Sequence, residues 1–135
     1  MFRPRLCVAA ITAVMAAGAA VGIAPVAMAA PAAAAASPCV NDLQAAQTSN
    51  NAAIAANQAN DTRTARTQNL STATSLVAAL GDCLTQPQVV GANILTASAT
   101  NSTAIVYNLL GASSSALSSE QATASAISQA LANAS

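Results

Sequence analysis

Charge and aromatic surface are what this chain of 135 residues has least of: charged residues make up 6% of it and aromatic residues 1%. Histidine, tryptophan and lysine do not occur. Without histidine there is no general base for a serine or cysteine nucleophile, and without lysine there is neither a Schiff base nor a Ser–Lys pair. No glycine-rich phosphate loop appears. Nucleic-acid binding lacks both the cationic charge that displaces counterions and the aromatic platforms on which bases stack. The four carboxylates beyond residue 30, Asp42, Asp61, Asp82 and Glu120, fall in separate segments. Asp42, Asp61 and Asp82 read as solvated helix ends, and Glu120, the sole glutamate, as the solvated edge of a helical stripe. These absences point away from an enzyme and away from any cofactor.

What is present begins with an export signal over residues 1–29. Arg3 and Arg5 form a positive start, Leu6 to Val26 is apolar apart from Thr12, and Ala27-Met28-Ala29 gives small residues at cleavage spacing. An uncleaved membrane helix is the competing reading. It is opposed by the Ala and Gly content, by Pro25, and by the lack of a basic stop-transfer cluster. Cleavage implies an extracellular destination, with cell-wall association open, and the composition of the signal suggests a bacterial source. Residues 30–37 form an Ala/Pro-rich arm expected to be disordered. A domain over 38–135 follows.

Removal of the signal takes Cys7, Phe2 and all three methionines with it. The mature chain keeps Arg63 and Arg66 against four carboxylates, a net charge of −2, and Tyr107 as its one aromatic residue. It also keeps an even pair of cysteines, Cys39 and Cys83. In an exported chain such a pair reads as a disulfide. Two cysteines without histidine close no zinc site, and their spacing is not that of a redox pair, so neither a metal nor a redox centre is expected.

The forty-three residues between the cysteines contain no proline and one glycine, Gly81, in a helix-compatible background of Ala, Asn, Gln, Thr and Leu. A single straight helix through them would be roughly 64 Å long, far beyond the Cα separation of about 4.4–6.8 Å that a disulfide spans. Either the chain folds back or the cysteines pair with other chains. The midpoint falls on Asn60-Asp61-Thr62, residues that cap helices and start turns through their own side chains. That favours a hairpin of two helices, about 38–59 and 62–80, closed by an internal Cys39–Cys83 bond. Ser37-Pro38 supplies an N-cap and a proline at the first helical position, and Gly81 a C-cap.

Further helices are expected over about 87–110 and 114–133, separated by Gly111 and the Ser113-Ser114-Ser115 cluster, which offers an N-cap. Four segments of similar length joined by short loops predict an all-α fold: a small antiparallel four-helix bundle made of two helical hairpins. The alternative is one tall hairpin of two long helices, with the cysteines at opposite ends of one of them and free to bridge only to other chains. The apolar faces read as Leu70, Ala73, Leu76 or Val77, and Leu80 in the second helix. In the third they read as Val90, Ile94, Ala97, Ile105 and Leu109, widened by Val89, Val106 and Leu110, with Asn101 and Asn108 interrupting and flanking. In the fourth they read as Leu117, Ala124, Ile127 and Leu131.

The first helix is unusually polar. Gln47, Asn50 and Asn57 lie on one stripe, and Ala45, Ala52 and Ala59 recur every seven residues on another. Buried amides could fix the register of a helical seam. A buried amide without a partner costs about 1–3 kcal/mol, so the amides are expected in water. Gln47, Asn50 and Asn57 then become a candidate partner-binding face, suited to an extracellular protein or a neutral glycan. The functional expectation is a secreted, non-catalytic binding or scaffolding module, monomeric or dimeric. The alternative is a surface-active or membrane-interacting Ala-rich protein that exposes the 89–110 apolar face; the low charge disfavours attraction to a membrane.

Overall fold

In the computed structural model, which describes residues 35–135, the chain beyond Ser37 folds into four helices of nearly equal length. The expected signal peptide, and residues 30–34 of the arm, lie outside the described residues. Helix α1 spans Pro38–Gln58. It starts as its sequence requires, with the Ser37 hydroxyl accepting from the Val40 N–H at 3.3 Å and proline filling a position that needs no donor.

The bend falls at Asn60, which adopts a left-handed φ of 58°. Asparagine tolerates that conformation better than other non-glycine residues, so the turn forms without glycine or proline. Helix α2, Thr62–Asp82, is then capped by Asp61, whose carboxylate accepts from the Thr64 N–H at 3.0 Å and the Thr64 hydroxyl at 2.7 Å. Gly81 does not end this helix; it lies within the last turn, and Cys83 follows as the capping residue. Helix α3, Gln88–Leu109, begins after Pro87. Helix α4, Ser113–Asn133, begins after Gly111, whose φ of 71° makes the second tight reversal. No serine side chain caps α4. The Ser113 hydroxyl instead donates to the Asn60 side-chain oxygen Oδ1 at 3.0 Å and ties the two tight turns together.

Each helix packs on two neighbours, α1 on α2, α2 on α3, α3 on α4 and α4 on α1, in an up-down-up-down four-helix bundle. Cys39 and Cys83 are bonded, with their Cα atoms 4.8 Å apart, at the end where α1 begins and α2 finishes. The long-hairpin alternative is thereby overturned.

Apart from Ala56 and Ala126, the buried positions alternate by four and three: 39, 43, 46, 50, 53 and 57 on α1, and 65, 69, 72, 76, 79 and 83 from α2 into its cap. They continue as 90, 94, 97, 101, 104 and 108 on α3, and 116, 120, 123, 127 and 130 on α4. This period of 3.5 residues belongs to helices packed knobs into holes. Cys83 aside, whose counterpart Ala134 is only partly buried, the four series also coincide under a shift of 51 residues. Leu43, Ala46, Asn50, Ala53 and Asn57 correspond to Ile94, Ala97, Asn101, Ala104 and Asn108. In the second helix of each hairpin, Ala65, Asn69, Thr72, Leu76 and Ala79 correspond to Ala116, Glu120, Thr123, Ile127 and Ala130. Even the two left-handed residues, Asn60 and Gly111, are 51 apart. The bundle is thus two copies of one hairpin related by an approximate twofold.

The core has two unlike halves. At the disulfide end, Cys39, Leu43, Leu76, Cys83, Val90, Ile94 and Ile127 form a continuous apolar cluster with Ala46, Ala79, Ala97, Ala126 and Ala130. At the end holding Asn60 and Gly111, the interior consists of alanine together with Asn50, Asn57, Asn69, Asn101, Asn108, Thr72, Thr123 and Glu120.

Several expected faces are rotated out. Ala45, Ala52 and Ala59 face solvent, while Ala46 and Ala53 line the seam. Leu70 and Val77 are 53% and 69% exposed, and Leu109 is exposed as well. The disulfide explains the rotation. Cys83 must face Cys39, and counting back by heptads puts Leu76 and Asn69 on the same line. Leu84, Val77 and Leu70 lie one residue further along, about 100° around the helix.

Candidate functional site

The polar half of the core converges on one atom. Glu120, on α4, is fully buried, and its Oε1 accepts from the side-chain amides of Asn57 on α1 at 2.7 Å, Asn69 on α2 at 2.8 Å and Asn108 on α3 at 3.2 Å. All four helices therefore meet at a single carboxylate oxygen. One layer closer to the disulfide, the Asn50 amide donates to the Glu120 backbone carbonyl at 3.0 Å. The Asn101 amide donates to the Asn69 backbone carbonyl at 2.9 Å. These two bonds are the same bond in the two hairpin copies, since 50 and 101, and 69 and 120, are each 51 apart. In the layer beside them the hydroxyls of Thr100 and Thr123 lie 2.8 Å from each other, and Thr123 also bonds back to the Ser119 carbonyl.

Two expectations are corrected here. Glu120 is not a solvated stripe edge: the heptad set by the core makes position 120 an inward position. Asn50 and Asn57, expected on a solvated partner-binding face, are 0% and 3% exposed and belong to the same network. The cost that argued against burying them is reduced, since each amide nitrogen donates to a buried oxygen of Glu120, and it falls chiefly on their unpartnered carbonyl oxygens. Gln47, the third residue of that stripe, is half-buried at the α1–α4 seam, its amide 3.5 Å from the Ser128 hydroxyl. Extending the 4-3 spacing from Cys39 through Leu43 and Ala46 would have placed Asn50 and Asn57 inside. The cysteines were the available signal.

Sealed as it is, Glu120 touches no solvent-borne substrate. Its second oxygen, Oε2, and the side-chain carbonyl oxygens of Asn50, Asn57, Asn69, Asn101 and Asn108 are buried and meet no protein donor. Among the described residues no three His, Cys, Asp or Glu side chains gather at one point. At the opposite end, Asp42 and Asp82 do come together beside the disulfide, as the hairpin implies. Burial first, and then Asp82 as hydrogen-bonding neighbour and like charge, push the Asp42 carboxyl above its ordinary value. Asp61 shifts the other way, because the Thr64 hydroxyl and N–H stabilise its ionised form.

The outer surface is as divided as the core. Among the described residues the large exposed apolar side chains are Leu70, Val77, Leu84, Val89, Leu95, Val106, Leu109 and Leu110. All belong to α2, α3 or the turns that follow them. The α1 and α4 side instead exposes Asn41, Gln44, Thr48, Asn51, Ser118, Gln121, Ser125 and Gln129 between alanines. Between the end of α2 and the start of α3 runs a groove of about 420 Å³, lined by residues that include Leu80, Leu84, Pro87, Gly91 and Leu95. The bundle thus has one apolar wall and one wall of neutral amides and hydroxyls. No protein-family model, curated protein or solved structure matches the chain.

Proposed function

We propose that this protein is a secreted, non-catalytic binding module that holds an extracellular protein partner against its α2–α3 wall. The observation that carries the reading is the one-sided placement of the exposed apolar side chains. Scattered exposed leucines need no explanation, whereas a contiguous apolar face beside a groove marks an interaction surface. The internal disulfide and the absence, among the described residues, of any helix long and apolar enough to cross a membrane are compatible with an extracellular protein. The wall suits an apolar protein face better than a glycan, which would call for the directional hydrogen bonds that the α1–α4 wall offers. With so little charge, binding should be nearly insensitive to salt.

The test uses the mature protein, tagged and incubated in culture medium. The expected result is a partner recovered in fixed stoichiometry by wild type and by Gln47→Ala, but lost with Leu95→Gln/Val106→Gln, which keeps its melting temperature. Loss with Gln47→Ala instead would move the interface to the polar wall. A second reading, surface activity, draws on the same exposed leucines. It expects wild type to lower interfacial tension in the Leu95- and Val106-dependent way while no stoichiometric partner is recovered.

A further inference from the structure

The interior around Glu120 is unbalanced in charge and in hydrogen bonding. Its carboxylate is fully buried, and among the described residues no cationic side chain approaches it: Arg63 is exposed and Arg66 half-exposed, both in the first turns of α2. Burying a charge without a counter-charge is far costlier than burying a neutral polar group. Three of the amides that meet that carboxylate, Asn57, Asn69 and Asn108, and two in the next layer, Asn50 and Asn101, each keep a buried side-chain carbonyl oxygen for which the protein supplies no donor. The interior therefore holds an excess of acceptors and one negative charge. A single positively charged species with affinity for hard oxygen ligands would remedy both.

We propose that the Asn–Glu core is a binding site for a monovalent alkali cation of sodium's class. Carboxylate and carbonyl oxygens are the ligands hard cations take. Charge selects the valence: one carboxylate neutralises a monovalent ion, whereas calcium or magnesium would leave a buried positive charge in its place. The ligands are close at hand. Asn57, Asn69 and Asn108 already bring their amides to within 2.7–3.2 Å of Glu120 Oε1 from three different helices. Each of these amides donates through its nitrogen and leaves its carbonyl oxygen without a donor, and those oxygens together with Glu120 Oε2 are the ligand set. The twofold of the bundle sharpens the assignment. The position equivalent to Glu120 in the first hairpin is Asn69, so Glu120 is the one place in this layer where the repeat is broken to introduce a charge.

The experiment measures the thermal midpoint of the mature protein at fixed pH and ionic strength in sodium, potassium and choline chloride, together with sodium-23 relaxation on adding protein. An ion that binds only the folded state multiplies the folding equilibrium constant by about a hundredfold at a hundredfold excess over its dissociation constant. Sodium or potassium, but not choline, should therefore raise the wild-type midpoint progressively with concentration, and wild type should enhance sodium relaxation. Glu120→Asn restores the repeat and should lose both effects while staying helical. If that variant does not fold, the wild-type salt series and the relaxation measurement still decide. Equal midpoints in all three salts overturn the site.

Discussion

Glu120 is where single residues matter most. Three amides from three helices depend on its Oε1, so Glu120→Ala leaves all three donors buried without an acceptor. Removing one partner of a buried charged network typically costs about 3–5 kcal/mol. We expect that loss in urea unfolding, and a smaller one for Glu120→Gln, whose amide oxygen still accepts. Asp42 makes the opposite prediction. Its carboxyl is raised above the ordinary value by burial and by Asp82, so the folded state holds its proton more tightly than the unfolded chain. The stability it contributes is fully present at low pH and is lost as pH rises from the unfolded value near 4 through the raised one. Asp42→Asn should therefore stabilise the protein at pH 7 and flatten the fall in thermal midpoint above pH 4. Asp61 is lowered, so its contribution is present above that range and lost as the pH falls through it; Asp61→Asn should flatten that acidic limb alone.

At the scale of the helices, α1 shows what buried amides do to an element that is polar along most of its length. Its inner line carries Leu43, Ala46, Asn50, Ala53 and Asn57, of which only Leu43 is large and apolar. Intrinsic propensity alone would have Asn57→Ala favour the helix by up to about 0.7 kcal/mol. Burial reverses the sign, because the substitution removes a donor from Glu120 and opens a small cavity. Denaturant midpoints should fall for Asn57→Ala, and fall less than additively when Asn69→Ala is combined with it, since both donate to one oxygen. On α2 the reverse holds: Leu70→Gln and Val77→Gln should leave the midpoint unchanged, because neither side chain is in the core. The disulfide joins the first two helices across 44 residues of sequence, and in the chain-entropy account such a link is worth roughly 4 kcal/mol. Cys39→Ser/Cys83→Ser should accordingly lower the thermal midpoint by more than Leu76→Ala does.

Over the whole molecule, the two halves of the core differ in what holds them. The disulfide end combines a covalent link with the large aliphatic side chains, whereas the other end relies on alanines and one hydrogen-bonded network. Local opening follows apolar burial. Amide exchange should therefore be slowest in residues 39–46, 76–83, 90–97 and 126–130, and faster around Asn57, Asn69 and Asn108. Uniform protection along the helices would show instead that the Glu120 network holds its end as firmly as the aliphatic cluster holds the other.

Much of this fold could be read without coordinates. The helical composition, the reversal at Asn60-Asp61-Thr62, the break at Gly111 and the Ser37-Pro38 start are local properties, written in backbone preferences and side-chain caps. The pairing of Cys39 with Cys83 followed from the reach of a disulfide once the chain had to fold back. Which face of each helix turns inward was a different matter. Two of the apolar residues available to the inner face of α2, Leu70 and Val77, stand next to the inward positions Asn69 and Leu76, and a rotation of one residue exchanges the two sets. Local pattern favours the leucine and valine. Four helices packed under one disulfide favour the line through Cys83, and that collective geometry decides. The same geometry turns Asn50, Asn57 and Glu120 from a polar surface into an interior, because a polar group's place depends on whether partners from other helices arrive to meet it, and no single segment of sequence contains them.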